Sequence, residues 1–396
     1  MLTHDVLVVG GGPVGVFAAA LLAGRGLDVR VWERRAEGPA LSRAIGVHPP
    51  SLDAFERVGV ASALVAEAVL VRRDVATSGG RVLGTVPFDR ASRTHPYVAA
   101  LPQHRTEVLL RAALARRAPE SLVTGTEVTT VTEGADSVVV RGVRDGAPVE
   151  VAARFVLAAD GWQSTVRRAL GVRSATRAYP DRFVMGDFRD DTPHGSDAVV
   201  HLEPEGVVES FPLPGGVRRY VAHLGTGAAG VPGSDAGPDG PRSSPASLAA
   251  EVAVRTGSLV DPSTSTMLSD FTVRRRFVDT MAVGRVLLLG DAAHEISPIG
   301  GQGMNLGWAD AVAAVDEVAA ALRVAGGRRT DPDRFAAWSA RRLAAARRAA
   351  AQAGLNTALG RPASGVALGA RRLGLGVALA LPTRRVLARA YTMAYS

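Results

Sequence analysis

The 396-residue chain contains no cysteine. That excludes disulfides, thiolate metal sites and a cysteine nucleophile, and it fits a cytoplasmic protein. Lysine is also absent, so all 46 basic residues are arginine. Schiff-base chemistry and a Walker-type phosphate lysine are thereby excluded. Aromatic residues make up 5 %, and no recognition motif accompanies the net charge of +8, so nucleic acid is not expected as a partner. The arginines are spread along the chain rather than massed, which reads as compositional bias more than as an anion patch. No stretch is long and apolar enough to span a bilayer. The nearest, residues 363–382, is interrupted by Arg371 and Arg372. The opening residues lack a basic start and a small-residue cleavage site, and read as a strand rather than a signal peptide. No metal-ligand set is expected.

Hydrophobic residues reach 47 %, enough for a large core and against disorder. Residues 5–9, DVLVV, are a buried parallel strand by pattern, 14–25 are helical, and 29–32 are a second strand. Helical spacing recurs at 52–58 and 107–117. Residues 138–143 and 149–151 read as paired strands around Asp145-Gly146, and 155–158 as another buried strand. From 183 to 224 the pattern turns β-rich and mostly antiparallel. Residues 225–247 carry Gly, Pro, Ser and Asp without periodicity and read as a surface excursion. A helix is expected at 247–256, a strand at 286–289, and helices from 304 almost to the end.

Three motifs carry chemistry. Gly10-Gly11-Gly12-Pro13-Val14-Gly15 fits G-x-G-x-x-G between a strand and a helix. Its glycines allow a tight turn, close approach of a pyrophosphate and close helix–strand packing. Glu33, at the end of the second strand, can accept from ribose hydroxyls and repels a 2′-phosphate, which favours FAD or NAD over NADP in this fold. The second motif, Asp160-Gly161 followed by Ser164 and Arg167, comes after a buried strand. The third, GDAAHEISPIGGQGMN (290–305), closes a strand and opens a helix. A helix start stabilises negative charge by roughly 0.3–2 kcal/mol, which suits a reduced flavin ring if the first motif holds the ADP half of FAD.

The three motifs in this order resemble the class A, single-component FAD aromatic monooxygenases, the para-hydroxybenzoate hydroxylase type that includes polyketide-tailoring hydroxylases. The match spans residues 5 to about 320. The resemblance implies an α/β fold: a Rossmann-like FAD-binding domain of the GR2 type with an inserted, mostly antiparallel β-sheet substrate domain and a C-terminal helical region. The FAD-binding domain is expected at 1–72, 98–178 and 272–325, the substrate domain at 73–97 and 179–271, and the helical region at 326–396. It also implies FAD contacts at Gly10, Gly12, Pro13, Gly15, Glu33, Arg34, Arg43, Gln103, Asp160, Gly161, Arg167, Gly290, Asp291, Pro298, Gly301, Gln302, Gly303, Met304 and Asn305. Pro298, over the oxygen-reactive face of the flavin, and Arg43, which helps position it, are the catalytic candidates.

The implied reaction uses NADPH or NADH as a transient reductant and O₂, and hydroxylates a phenolic or other aromatic small molecule through a flavin hydroperoxide. The alternatives are an FAD-dependent reductase of the geranylgeranyl-reductase type and a non-catalytic flavin- or drug-binding protein. A halogenase is disfavoured, since it needs a lysine. Substrate candidates come from the β-rich middle: His201, Arg218 and Tyr220, with Arg219 and Val221 expected to face away by strand alternation. The Arg-laced C-terminal helices are expected to pack on the FAD domain with arginine toward solvent, in preference to peripheral membrane contact. Oligomeric state is left open.

Overall fold

The structure is a computed structural model that describes residues 3–36, 43–226, 243–297, 299–324, 332–380, 388 and 391–393. Two eight-stranded sheets and a three-stranded one organise it.

In the first sheet, Thr3–Val9 lies between Val29–Trp32 and Ala147–Ala158 and runs parallel to both, with Val286–Leu288 parallel beyond. Val9 is in register with Trp32 and Ala158, and Ala158 with Leu288. The four strands therefore end along one edge, although they are spread over nearly three hundred residues. In a parallel sheet that carboxyl edge is where crevices for ligands open. Their side chains are almost wholly buried, as continuous Val/Leu/Ala runs require when both faces are covered. Helix Pro13–Ala23 packs on this sheet, with Gln103–Arg117 and Gln302–Arg323 packed against that helix. A Cβ at Gly307 would come within 2.6 Å of Val14 Cγ2, so the absence of a side chain lets two of these helices approach closely.

The expected strands at 149–151 and 155–158 are one continuous strand, Ala147–Ala158. Its first half pairs antiparallel with Val138–Arg144, and its second half runs parallel to Thr3–Val9. The Asp145-Gly146 turn between the hairpin arms has both residues at positive φ, +52° and +77°, as two-residue hairpins of this twist need.

The second sheet has the order 294–295, 267–278, 174–189, 217–226, 206–213, 198–203, 73–78, 81–87. It is antiparallel except for the pairing of Arg73–Ser78 with Ala198–Glu203. Most of the expected surface excursion lies outside the described residues.

Helix Pro332–Leu359 packs on Gln302–Arg323 through Phe335, Trp338 and a run of alanines. Helix Gly365–Ala380 instead lies on the second sheet, against Arg81–Pro87. Its arginines do not face solvent. Arg371 donates to the carbonyls of Leu359, Arg361, Leu202 and Glu203, and Arg372 donates to Ser78 Oγ. Val366 and Leu373 point outward instead, 90 % and 71 % exposed. The inversion has a local cause: carbonyls at a strand end need donors, and a guanidinium fork supplies several from one side chain. Among the described residues, no helix is long and apolar enough to cross a membrane.

Candidate active site

The loop after Thr3–Val9 is shaped by its glycines. Gly10 sits at φ +106°, and a Cβ there would lie 2.3 Å from Ala159 O. At Gly15 a Cβ would lie 2.0 Å from Gly10 O. Nothing lies within 4 Å of a Cβ at Gly12, where the loop opens onto a cavity. Gly12 is also the N-cap of Pro13–Ala23, and no side chain caps that helix, so its first N–H groups stay available to a ligand. Glu33 accepts from Gly11 N–H (2.5 Å) and Arg35 N–H (2.9 Å), which fixes the carboxylate beside the loop.

The 290–303 segment faces this loop across the same cavity. Gly290, Gly300 and Gly301 all have positive φ, and the uncapped helix Gln302–Arg323 starts where they end. Asp310 anchors the segment from below. Its fully buried carboxylate accepts from His294 Nε2 (2.6 Å), Arg342 Nε (2.7 Å) and Gly290 N–H (3.2 Å). Asn305 accepts from His48 N–H (2.8 Å) and donates to Gly46 O and Gly301 O (both 2.9 Å), tying in the 43–48 stretch.

Most of the sequence-identified residues line one cavity of about 550 Å³: Gly10, Gly12, Pro13, Glu33, Arg34, Arg43, Gln103, Asp160, Gly161, Gly290, Asp291, Gly301, Gly303 and Met304. Four others border it from behind. Gly15 packs the loop and Asn305 braces it. Arg167 bridges Ala292 O and Trp162 O (both 2.8 Å), joining the second and third motifs. Gln302 donates to Tyr391 O. Pro298 lies outside the described residues.

The expected parity of the β face is reversed. Arg219 and Val221 line the cavity, together with Glu209 and Phe211, which stand opposite them in the ladder. Arg218 and Tyr220 point to the other side. Arg218 is fully buried against Asp190 and Ser210, and Tyr220 packs with Phe188 and Leu248. His201 is likewise off the cavity, bonded to Thr77 Oγ1. Strand alternation fixes which residues share a face but not which face is inward. Further residues line the cavity without a counterpart in the sequence motifs, among them His48, Glu209 and Tyr391. Burial lowers His48 to about 4, so its ring is neutral at pH 7. Glu209 has a sequence signal of its own: an acid in the middle of an apolar strand, VVESFPL.

Arg219 places its fork on Asp187 (2.6 and 2.7 Å) and reaches Arg43 O (2.6 Å). Arg43 in turn stacks 5.5 Å over the Phe271 ring. This chain of contacts couples the sheet to the loop that faces the glycine cradle.

These residues fit an FAD. A glycine loop with open space above Gly12 suits a pyrophosphate. The buried Asp160 Oδ1 has no partner and borders the cavity, so it can accept from a hydroxyl of the connecting chain. The second uncapped helix start suits the ring end. The fold and this cradle define a Rossmann-type flavin-binding protein. The chain belongs to the FAD binding domain family, which matches residues 3–353. It is 37 % identical over 316 residues to the 6-methylpretetramide 4-monooxygenase of Streptomyces rimosus, covering 78 % of this chain and 54 % of the relative. Its fold matches the OxyS anhydrotetracycline hydroxylase of S. rimosus with a TM-score of 0.77 at 28 % identity, covering 99 % of this chain and 76 % of that one. It matches the p-nitrophenol 4-monooxygenase PnpA of Pseudomonas putida with a TM-score of 0.83 at 22 % identity, covering 100 % and 98 %. The chain spans just over half the length of the first of these relatives.

Proposed function

We propose that the protein is an FAD-dependent monooxygenase that uses NAD(P)H and O₂ to hydroxylate a phenolic or other aromatic small molecule. The observation that carries this reading is one continuous cavity, lined from the Gly10–Gly12 loop past Asp160, Asp291 and Gly303 to the sheet face at Glu209 and Phe211. Relatives named for 6-methylpretetramide and anhydrotetracycline favour an aromatic polyketide as the substrate class. When bound, FAD supplies hydride acceptance from NAD(P)H and the activation of O₂.

The chain's own residues bind, orient and shield. Gly12 and the start of Pro13–Ala23 hold the pyrophosphate. Glu33 takes ribose hydroxyls, and Asp160 and Asp291 take those of the connecting chain. The N–H groups at the start of Gln302–Arg323 stabilise negative charge at the ring end. Arg43 and Gln103 orient the ring. The strands at 73–97 and 179–271 hold the substrate, and their apolar lining keeps water from the reacting atoms. The residues at 1–72, 98–178 and 272–325 hold the cofactor.

The test is direct. The purified protein is assayed for FAD content, and NADH and NADPH oxidation are followed with a panel of phenols, naphthols and alkylresorcinols. The expected result is bound FAD, accelerated oxidation with at least one phenol, and a product carrying one oxygen atom from ¹⁸O₂. Absence of FAD, or oxidation that no phenol accelerates, overturns the reading.

A further inference from the structure

The end of the cavity away from the glycine loop is built around acids. Glu209 lies mid-strand in Gly206–Leu213, 8 % exposed, on the cavity-facing side. Its carboxyl has no hydrogen-bond partner among the described residues. Asp74, from Arg73–Ser78, shares that face: it is in register with cavity-lining Ala198, and Glu209 is in register with Val200 two residues on. Asp74 is 9 % exposed, and its Oδ1 also has no partner. The third member is Tyr391, whose ring stacks between Phe88 (5.6 Å) and His48 (5.7 Å). The surrounding wall is apolar, with Val71, Val98, Ala100 and Phe211. The cavity-lining Arg219 has its fork on Asp187. A buried, unpartnered carboxyl aimed into an apolar cavity is costly to keep unless something bonds it.

Burial and the neighbouring Asp74 push Glu209 up to about 8. Burial, opposed by the Val75 backbone and helped by Asp197, pushes Asp74 up to about 7. Tyr391 is raised well above its ordinary value by burial and then by both acids, and His48 beside it is neutral. At neutral pH Glu209 therefore holds its proton, so it can donate as well as accept.

Resting on the monooxygenase reading, we propose that Glu209, backed by Asp74 and Tyr391, is a substrate-selecting residue: it hydrogen-bonds an uncharged hydroxyl or carbonyl oxygen of the aromatic substrate and turns away aromatic carboxylates. A neutral phenol or quinone satisfies the carboxyl without adding charge. A carboxylate would bring a charge into this apolar corner, where cavity-lining Arg219, two positions along the neighbouring strand from Val221 opposite Glu209, is engaged by Asp187. Glu209 acts by positioning and selection, and no proton transfer to it is required.

The test uses the full chain loaded with FAD and equilibrium dialysis at pH 7 with matched probes: 1-naphthol against 1-naphthoate, and 1-hydroxyanthraquinone against anthraquinone-1-carboxylate. Each neutral probe is expected to bind at least roughly tenfold more tightly than its carboxylate, since a site built to hydrogen-bond one group rejects a mismatched one. E209Q, which keeps a donor and an acceptor, should retain the preference. E209L should lower the affinity for the neutral probes and bring each ratio toward one. If E209L does not fold, the pH profile decides. Between pH 6 and 9 carboxylate binding should weaken more steeply in the wild-type protein than in E209Q, where only Asp74 still titrates in that range. Equal binding of matched probes, no binding of either neutral probe, an unchanged ratio in E209L, or identical pH profiles would overturn the proposal. NAD(P)H oxidation and product formation are read on the same preparations. Selective binding without hydroxylation keeps this site and removes the monooxygenase reading, whereas hydroxylation without selectivity removes only this site.

Discussion

Gly12 and Gly15 are two residues of one motif, yet they face opposite demands. A Cβ at Gly15 collides with Gly10 O at 2.0 Å, whereas at Gly12 it meets nothing, because the loop opens there onto the cavity. Gly12→Val should therefore leave the melting point of the FAD-free protein within the range of a neutral surface change, about ±0.5 kcal/mol. The same change should weaken FAD uptake by roughly tenfold or more, a loss of about 1.4 kcal/mol or above. Gly15→Val should instead lower the melting point of the FAD-free protein itself. Thermal melts with and without FAD separate the two, and a Gly12→Val protein that keeps full FAD affinity would remove the pyrophosphate from this loop. Glu209 offers a different residue-scale test. Its folded value of about 8 lies above the ordinary 4.5, so the folded state binds the extra proton. Stability from this group is complete below about 4.5 and falls as pH rises toward 8, at up to about 1.4 kcal/mol per pH unit. Asp74, raised from 3.8 to about 7, adds a loss of the same sign over its own window. Urea midpoints across pH 4–9 should thus fall less steeply in Glu209→Gln than in the wild type, and parallel curves would contradict the burial of that carboxyl.

At the scale of elements, the site is held by contacts between segments remote in sequence. Asp310 joins the end of Val286–Leu288, the segment at His294 and the helix Pro332–Leu359 through one carboxylate. Burial alone would raise its pKa, but His294 and Arg342 together hold it below the usual carboxylate range. Its contribution is therefore present above that range and is lost as pH falls through it. Asp310→Asn leaves Arg342 buried without its countercharge, which should cost about 3–5 kcal/mol in urea unfolding at pH 7. A loss under about 1 kcal/mol would show that the network is incidental. The strands that end at this network were legible in the sequence, because buried parallel strands announce themselves as apolar runs closed by glycine or Asp-Gly. The glycine loop, Glu33, Asp160 and Asp291 could be named because each follows such a run directly. The inner face of the second sheet was not legible in the same way. Strand alternation pairs Arg218 with Tyr220 and Arg219 with Val221, but nothing local says which pair faces inward. That is set by the ladder with Gly206–Leu213 and by Asp187 catching Arg219 from the next strand. His48 and Tyr391 carry no local signal for a related reason, since their proximity depends on how residues over three hundred positions apart are packed.

For the molecule as a whole, the question is why a chain whose family match ends at residue 353 continues onto the second sheet. The stretch after Pro332–Leu359 is stitched there at successive points. Val207 N–H donates to Gly360 O (2.8 Å), Ala363 N–H donates to Pro204 O (2.9 Å), and Arg361 grips the fully buried Asp181 with two bonds (2.9 and 2.7 Å) while His223 holds the same carboxylate. Arg371 and Arg372 then fasten helix Gly365–Ala380, and Leu379 fills the space over Gly84. Further on, Tyr391 reaches back into the cavity beside His48 and Phe88. Among the described residues of this segment Tyr391 lines the cavity, away from the Gly10–Gly12 loop, while helix Gly365–Ala380 braces the sheet that forms its wall, so the two ends of the cavity should be separable by mutation. Gly84 is the place to separate them, because a Cβ there would lie 2.5 Å from Leu379 Cβ, and a valine cannot fit while the helix stays seated. Gly84→Val should leave FAD content unchanged, expose the connection between the last two long helices to limited proteolysis, and weaken binding of a neutral naphthol by roughly tenfold, about 1.4 kcal/mol. If the variant resists protease as the wild type does and binds naphthol as well, the C-terminal helix is an ornament on the sheet and not a brace of the cavity wall.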